Sequence, residues 1–230
     1  QEFAVTGEAT LPVPPGQHRV IVSRGYEWEL VDQTVDAFAG QVTDVAATMV
    51  HDVDTTGVMC GDFHIHSFNS ADSNDPVIHK VAGAVADGLD IPVSSEHEWV
   101  IDFQPVVESL GVADWAFGMP SEELTTFAWG HFGVVPLEPH EHDTNNGAID
   151  WVGHTPAQTF SLVRARTEKP ALIVNHPSGT GFGAYFTMAE FDEATGKGGN
   201  DLWSDDFDAA EVFNDSDFEA NRKASVADWF

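Results

Sequence analysis

The stretch Gly61-Asp62-Phe63-His64-Ile65-His66-Ser67, followed by Asp72, decides how the rest of the chain reads. Apolar and histidine residues alternate here, which predicts a β-strand. Side chains two positions apart on a strand share a face, so His64 and His66 can hold one metal ion between them. Further along, His97, Glu123, His131, His176 and Glu211 each stand at or just beyond the end of a short apolar run. Imidazole nitrogens and carboxylate oxygens delivered by several strand ends are what a catalytic Zn, Mn or Fe cluster requires. Asp72, or Asp75 as its substitute, adds a loop carboxylate, and Glu122 or Glu123 adds one whose two oxygens can span two cations.

From Gly61 onward the pattern alternates strand and helix. Asp75 reads as an N-cap with Pro76 at the first helical position, and Val77, Ile78, Val81 and Val85 share one helical face up to Gly88. Leu89 to Ser95 is the next strand and delivers Glu96 and His97. The segment from Gly118 to Thr126 carries Glu123, and His131 to Leu137 is a further strand. Thr155-Pro156 caps a helix reaching Arg166, Ala171 to Val174 is a buried strand ending at His176, Ala210 to Phe213 is one more strand, and a last helix starts at Phe218 and carries Val226, Ala227 and Phe230. Repeated strand-then-helix units predict an α/β barrel or parallel sheet, with functional groups at the carboxyl ends of strands. His140, His142 and His154 read as loop histidines, His51 and His79 as structural, and His18 lies outside the catalytic region.

Residues 1 to 56 read differently. A turn-rich entry at Thr10 to Gly16, a strand at His18 to Ser23 and a second β-segment at Gln41 to Met49 predict a small accessory β-sandwich segment, with 57 to 230 as the catalytic domain. No histidine or carboxylate cluster occurs in the first part.

The chain carries 38 Asp and Glu against 9 Lys and Arg, a net charge of −29. That excludes nucleic acid or an anionic membrane as partners held by a basic surface. It points to a salty, extracellular or periplasmic setting. Hydrophobic residues make up 42% of the chain, enough to fill a core. A single Cys60 rules out an internal disulfide, and no apolar run is long enough to span a membrane. The opening Gln1 reads as the start of a processed or excised piece.

Asp62-Phe63-His64-Ile65-His66-Ser67 resembles the opening motif of the PHP (polymerase and histidinol phosphatase) family. The later motifs follow in order: Ser95-Glu96-His97, Ser121-Glu122-Glu123, Gly130-His131, Asn175-His176-Pro177 and Glu211-Val212-Phe213-Asn214. Their wording is most similar to the CehA/McbA-like metallohydrolase branch. The resemblance implies a distorted seven-stranded (βα) barrel binding two or three divalent ions. It implies His64, His66, Asp72, His97, Glu123, His131 and His176 as ligands, with Glu123 favoured over Glu122 as the bridge. Glu211 either binds metal or shapes the site. Ser95-Glu96-His97 departs from the commoner Thr-Asp-His, and the extra methylene of Glu96 lengthens any contact it makes behind His97. The family's last motif, of Gly-Asn/Ser-Asp-Ser/Ala-His type, has no counterpart before Phe230. The chain therefore reads as a barrel without its last strand, its cavity open on one side and one or two coordination positions left to water or another chain.

No GxSxG elbow occurs and Cys60 precedes the first motif, so hydrolysis by a metal-bound hydroxide is the expected chemistry. The substrate class is a small phosphoester, ester or carbamate, and Arg164 and Arg166 are the only phosphate-clamping candidates in the central region. The alternative is a metal-binding or sensory module of the same fold without turnover.

Overall fold

The computed structural model describes residues 1–179, 181, 183–214 and 218–226. Contacts divide the chain into two compact units. The first comprises Gln1–Asp62, Pro76–Pro92 and Gln104–Gly118, and the second Phe63–Asp75, Val93–Phe103 and Met119–Phe230. The helix expected after Asp75 as part of the catalytic region thus groups with the N-terminal residues.

In the first unit, β1 (Gly16–Val22) and β2 (Val31–Ala37) pair antiparallel from Gly16↔Ala37 to Val22↔Val31. The strand expected at His18 is present. The β-segment expected over Gln41 to Met49 is not, and a single antiparallel pair stands where two packed sheets were expected. The segment is mostly exposed and, among the described residues, makes no backbone pairing with β2 or any other strand. Two side-chain bonds tether it instead, Thr43 Oγ1 to the Asp36 carbonyl and Gln33 Nε2 to that of Ala46. Helix α1 (Val77–Ala86) buries Val81 and Val85. Its N-cap is Pro76, one residue later than expected.

From Gly61 onward the strands expected to run parallel do so only in part. Strands β3 (Gly61–Ile65), β4 (Ile91–Ser94) and β5 (Met119–Pro120) form one sheet in that order, with β4 and β5 parallel. Helix α2 (Gln104–Ser109) lies in the first unit between β4 and β5 in sequence. Strands β6 (Glu122–Thr125), β7 (His131–Val135) and β8 (Ala171–Val174) pair antiparallel in succession, and β8 pairs parallel with β11 (Ala209–Ala210). The reversal at β6–β7 has a simple cause. A parallel pair needs a crossover of a dozen residues or so, whereas 126–130 allow only a tight turn, closed by Thr126 Oγ1 on the Gly130 carbonyl at 2.8 Å. A bridge between His97 and Glu123 joins the two sheets, so that β5 and β6 lie in succession beside β4 in the row β3-β4-β5/β6-β7-β8-β11.

The core under β6, β7 and β8 is apolar. Leu124, Phe132, Val134, Leu172 and Val174 pack with Phe160 and Val163 of α3 (Pro156–Arg164) and with Tyr185 and Phe186 of α4 (Tyr185–Met188). The start of α3 follows the sequence: Thr155 Oγ1 accepts from Gln158 N, Gln158 Oε1 accepts from Thr155 N at 2.9 Å, and Pro156 occupies the first turn. The short pair β9 (Phe191–Asp192) and β10 (Lys197–Gly198) lies within the acidic excursion. Helix α5 covers Phe218–Lys223; Ala227 and Phe230, expected in it, lie outside the described residues.

Phe160 has no exposed surface and meets Phe132, Trp129 and Tyr185 ring to ring. Phe160→Ala is expected to cost about 3–5 kcal/mol in urea unfolding, against about 1 kcal/mol for Thr155→Ala.

Candidate metal centre

Strand alternation settles which glutamate faces the cluster. On β6, Glu122 and Glu123 point to opposite faces, and both are fully buried. Glu122 Oε1 accepts from Ile149 N at 2.9 Å. Burial pushes its carboxyl up to about 8, so it stands neutral at pH 7. Glu123 turns the other way, into five histidines.

Those histidines form a closed ring. Successive imidazole centroids lie 4.9 Å (His64–His66), 4.5 Å (His66–His97), 5.8 Å (His97–His131), 5.1 Å (His131–His176) and 5.7 Å (His176–His64) apart. Glu123 divides them between its two oxygens. Oε1 is 3.2 Å from His64 Nε2, 3.2 Å from His176 Nε2 and 3.5 Å from His131 Nδ1. Oε2 is 2.8 Å from His97 Nδ1 and 3.6 Å from His66 Nε2. Each ring arrives from a different place: β3 for His64, the residue after β3 for His66, the end of β4 for His97, the start of β7 for His131 and the end of β8 for His176.

Two carboxylates extend the ring. Asp72, about half exposed, reaches His97 Nε2 at 3.2 Å, and Glu211 accepts from His64 Nδ1 at 2.5 Å. Since His64 lies on β3 and Glu211 follows β11, that pair links the two ends of the strand row. Glu211 Oε2 also accepts from the His176 backbone N at 2.7 Å, which holds His176 at a φ of 30° despite the strain of that region. Gly183 lies against the ring: a Cβ there would stand 3.2 Å from His176 Cε1 and 3.3 Å from His131 Cε1. Its carbonyl accepts from His131 N.

Several residues without a role in the sequence reading hold the ring in place. Asn175 donates to Glu123 Oε1 at 2.9 Å, Thr125 Oγ1 meets His97 Nδ1 at 2.6 Å, and Asn214 donates to Glu211 Oε2 at 2.9 Å. Asn221 of α5 clamps the Asn214 backbone through its N–H and its carbonyl. Asn175 and Asn214 sit inside quoted motifs, so the wording flagged their positions. Thr125 carried no signal. Glu96 is fully buried and, despite its extra methylene, bonds Ser67 and Ser70 in the loop after His66.

The electrostatics show what the ring lacks. Burial raises the Glu123 carboxyl, but the surrounding imidazoles outweigh this and hold it far below the usual carboxylate range. Burial lowers the His64 imidazole, yet Glu123 and Glu211 together raise it to about 10. Among the described residues no Lys or Arg contacts Glu123. Glu123 Oε2 and both ring nitrogens of His131 are buried without a hydrogen-bond partner. Unpaired buried nitrogen and oxygen donors facing one another fit a divalent cation. Three sets of donor atoms lie close enough to hold one: His64, His66 and Glu123; His66, Asp72 and His97; and His97, Glu123 and His131. Asp75 belongs to none of them. His140, His142 and His154 are exposed elsewhere, and His51 lies with Glu27 and Trp28 in the first unit. Among the described residues no helix is long and apolar enough to cross a membrane.

No family model, no curated protein and no solved structure matches the chain.

The two glutamates of β6 separate cleanly in an experiment. After Zn2+ loading and dialysis, Glu123→Gln is expected to retain far less metal than the parent, whereas Glu122→Gln keeps the parent stoichiometry. Equal loss in both variants would show that Glu123 has no special place in the cluster.

Proposed function

We propose that the second unit is the core of a metal-dependent hydrolase of the PHP type, in the CehA/McbA-like branch, and that its strand row is part of a distorted seven-stranded barrel. The observation that carries this is the closed ring of His64, His66, His97, His131 and His176 around Glu123, drawn from strand ends spread over more than a hundred residues. The ordered motifs and the His64–Glu211 link between the end strands support the same reading.

Bound divalent ions would supply acidification of a water molecule and charge stabilisation on the oxygens of the scissile group. The chain's own residues prepare for that. Glu211 accepts the His64 Nδ1 proton and directs Nε2 inward, and Asn175 fixes the Glu123 carboxylate between the imidazoles. Asp72 leaves one side of the ring polar and solvent-facing, where a small substrate can enter. Arg164 is engaged by Asp206 and Asp208, and Arg166 by Glu168, so neither is free to clamp a phosphate. That favours esters and carbamates over phosphomonoesters within the substrate class.

The test is a panel of aryl esters, carbamates and phosphoesters assayed with Zn2+- or Mn2+-loaded protein. Turnover should disappear on chelation and return with metal. His64→Ala should reduce both bound metal and rate, by at least the roughly 10–100-fold seen when metal-site supports are disturbed. Unchanged turnover in metal-free protein contradicts the proposal, and metal uptake without turnover on any substrate would favour the sensory module instead.

A further inference from the structure

Behind His66 lies a hydrogen-bond relay whose proton positions follow once Glu96 is taken as a carboxylate and His66 as neutral. The Glu96 carboxylate, with no exposed surface, accepts from Ser67 N at 3.1 and 3.0 Å, from Ser67 Oγ, and from Ser70 Oγ at 2.6 Å. A carboxylate only accepts, and a serine hydroxyl has one proton to give. Ser70 has therefore spent its proton on Glu96. Its oxygen is left to accept, from the His97 backbone N at 3.0 Å and from His66 Nδ1 at 3.0 Å. His66 must then carry its proton on Nδ1, leaving the Nε2 lone pair towards Glu123 Oε2. The other acceptor near Nδ1 is Asp72 Oδ1, at 3.9 Å and beyond hydrogen-bond range.

We propose that Glu96 is a positioning residue which, through the Ser70 hydroxyl, sets the tautomer of His66 and so decides which ring nitrogen faces the metal position. The same hydroxyl anchors the His97 backbone, so one buried carboxylate orients two neighbouring members of the ring. This rests on the metal-centre reading above for its consequence, but not for its geometry. Replacing the carboxylate by an amide reverses the relay. In Glu96→Gln the side chain can donate to Ser70, whose own proton is then free for His66 Nδ1, and the lone pair moves away from the site.

Two-bond 1H–15N NMR of the metal-free protein with neutral His66 reads the tautomer directly, and Co2+ titration followed in the visible reads its consequence. The parent should show the Nδ1–H form. Glu96→Gln and Ser70→Ala should shift His66 towards Nε2–H, alter the Co2+ absorption band and weaken Co2+ binding by roughly 10–100-fold. Ser70→Thr, which keeps the hydroxyl, should restore the parent tautomer and affinity. Should Glu96→Gln fail to fold, the Ser70 pair decides. A folded Ser70→Ala protein with His66 still Nδ1–H and Co2+ affinity within about twofold of the parent overturns the proposal. A parent that binds no Co2+ refutes the metal centre, and the tautomer measurement still decides the role of Glu96.

Discussion

A carboxylate with no access to water is the constraint on which the second unit depends. Ionised Glu123 has lost its hydration, and in a protein interior that costs on the order of several kcal/mol unless positive charge and hydrogen bonds replace the water. Among the described residues neither a lysine nor an arginine pairs with Glu123. The chain supplies five imidazoles, one amide from Asn175, and a geometry in which buried nitrogens lack partners of their own. In the metal-free protein a protonated His64 provides part of the missing charge. Divalent ions would provide it more fully, since each can be met by several of these donors at once.

This requirement explains the arrangement of the strands. No single element could surround one carboxylate with five rings. The chain therefore returns to Glu123 repeatedly, by β3, the end of β4, the start of β7 and the end of β8. Glu211 then closes the row by holding His64 with one oxygen and the His176 backbone with the other. The apolar core of Phe132, Phe160, Tyr185 and their neighbours sits beneath the sheet and packs against β7 and β8. Packing in that core thus supports the strands that carry His131 and His176 to Glu123.

The sequence disclosed the parts of this design that depend on local pattern. The His64–His66 pair, the strand at Ala171 to Val174 and the helix cap at Thr155 could all be read directly, because alternation, an apolar run and a cap are encoded in adjacent residues. Long-range pairing could not. The antiparallel course of β6, β7 and β8 is set by the tight turn at 126–130 and by which strands find each other, and neither shows in strand-like composition. Gln41 to Met49 failed for the converse reason: its residues suit a strand, but it meets β2 only through the Thr43 and Gln33 side chains and makes no backbone pairing. The support of the ring was hidden too. Ser70 lies in an irregular loop and donates to Glu96, 26 residues away, a contact that periodicity does not register.

Anomalous diffraction from crystals equilibrated with Mn2+ or Zn2+ tests the central claim most directly. The account predicts strong peaks beside Glu123, at coordination distances of roughly 2.0–2.2 Å from its oxygens and from ring nitrogens of the five histidines. Peaks confined to surface carboxylates, with the imidazole ring unchanged and empty, would contradict it.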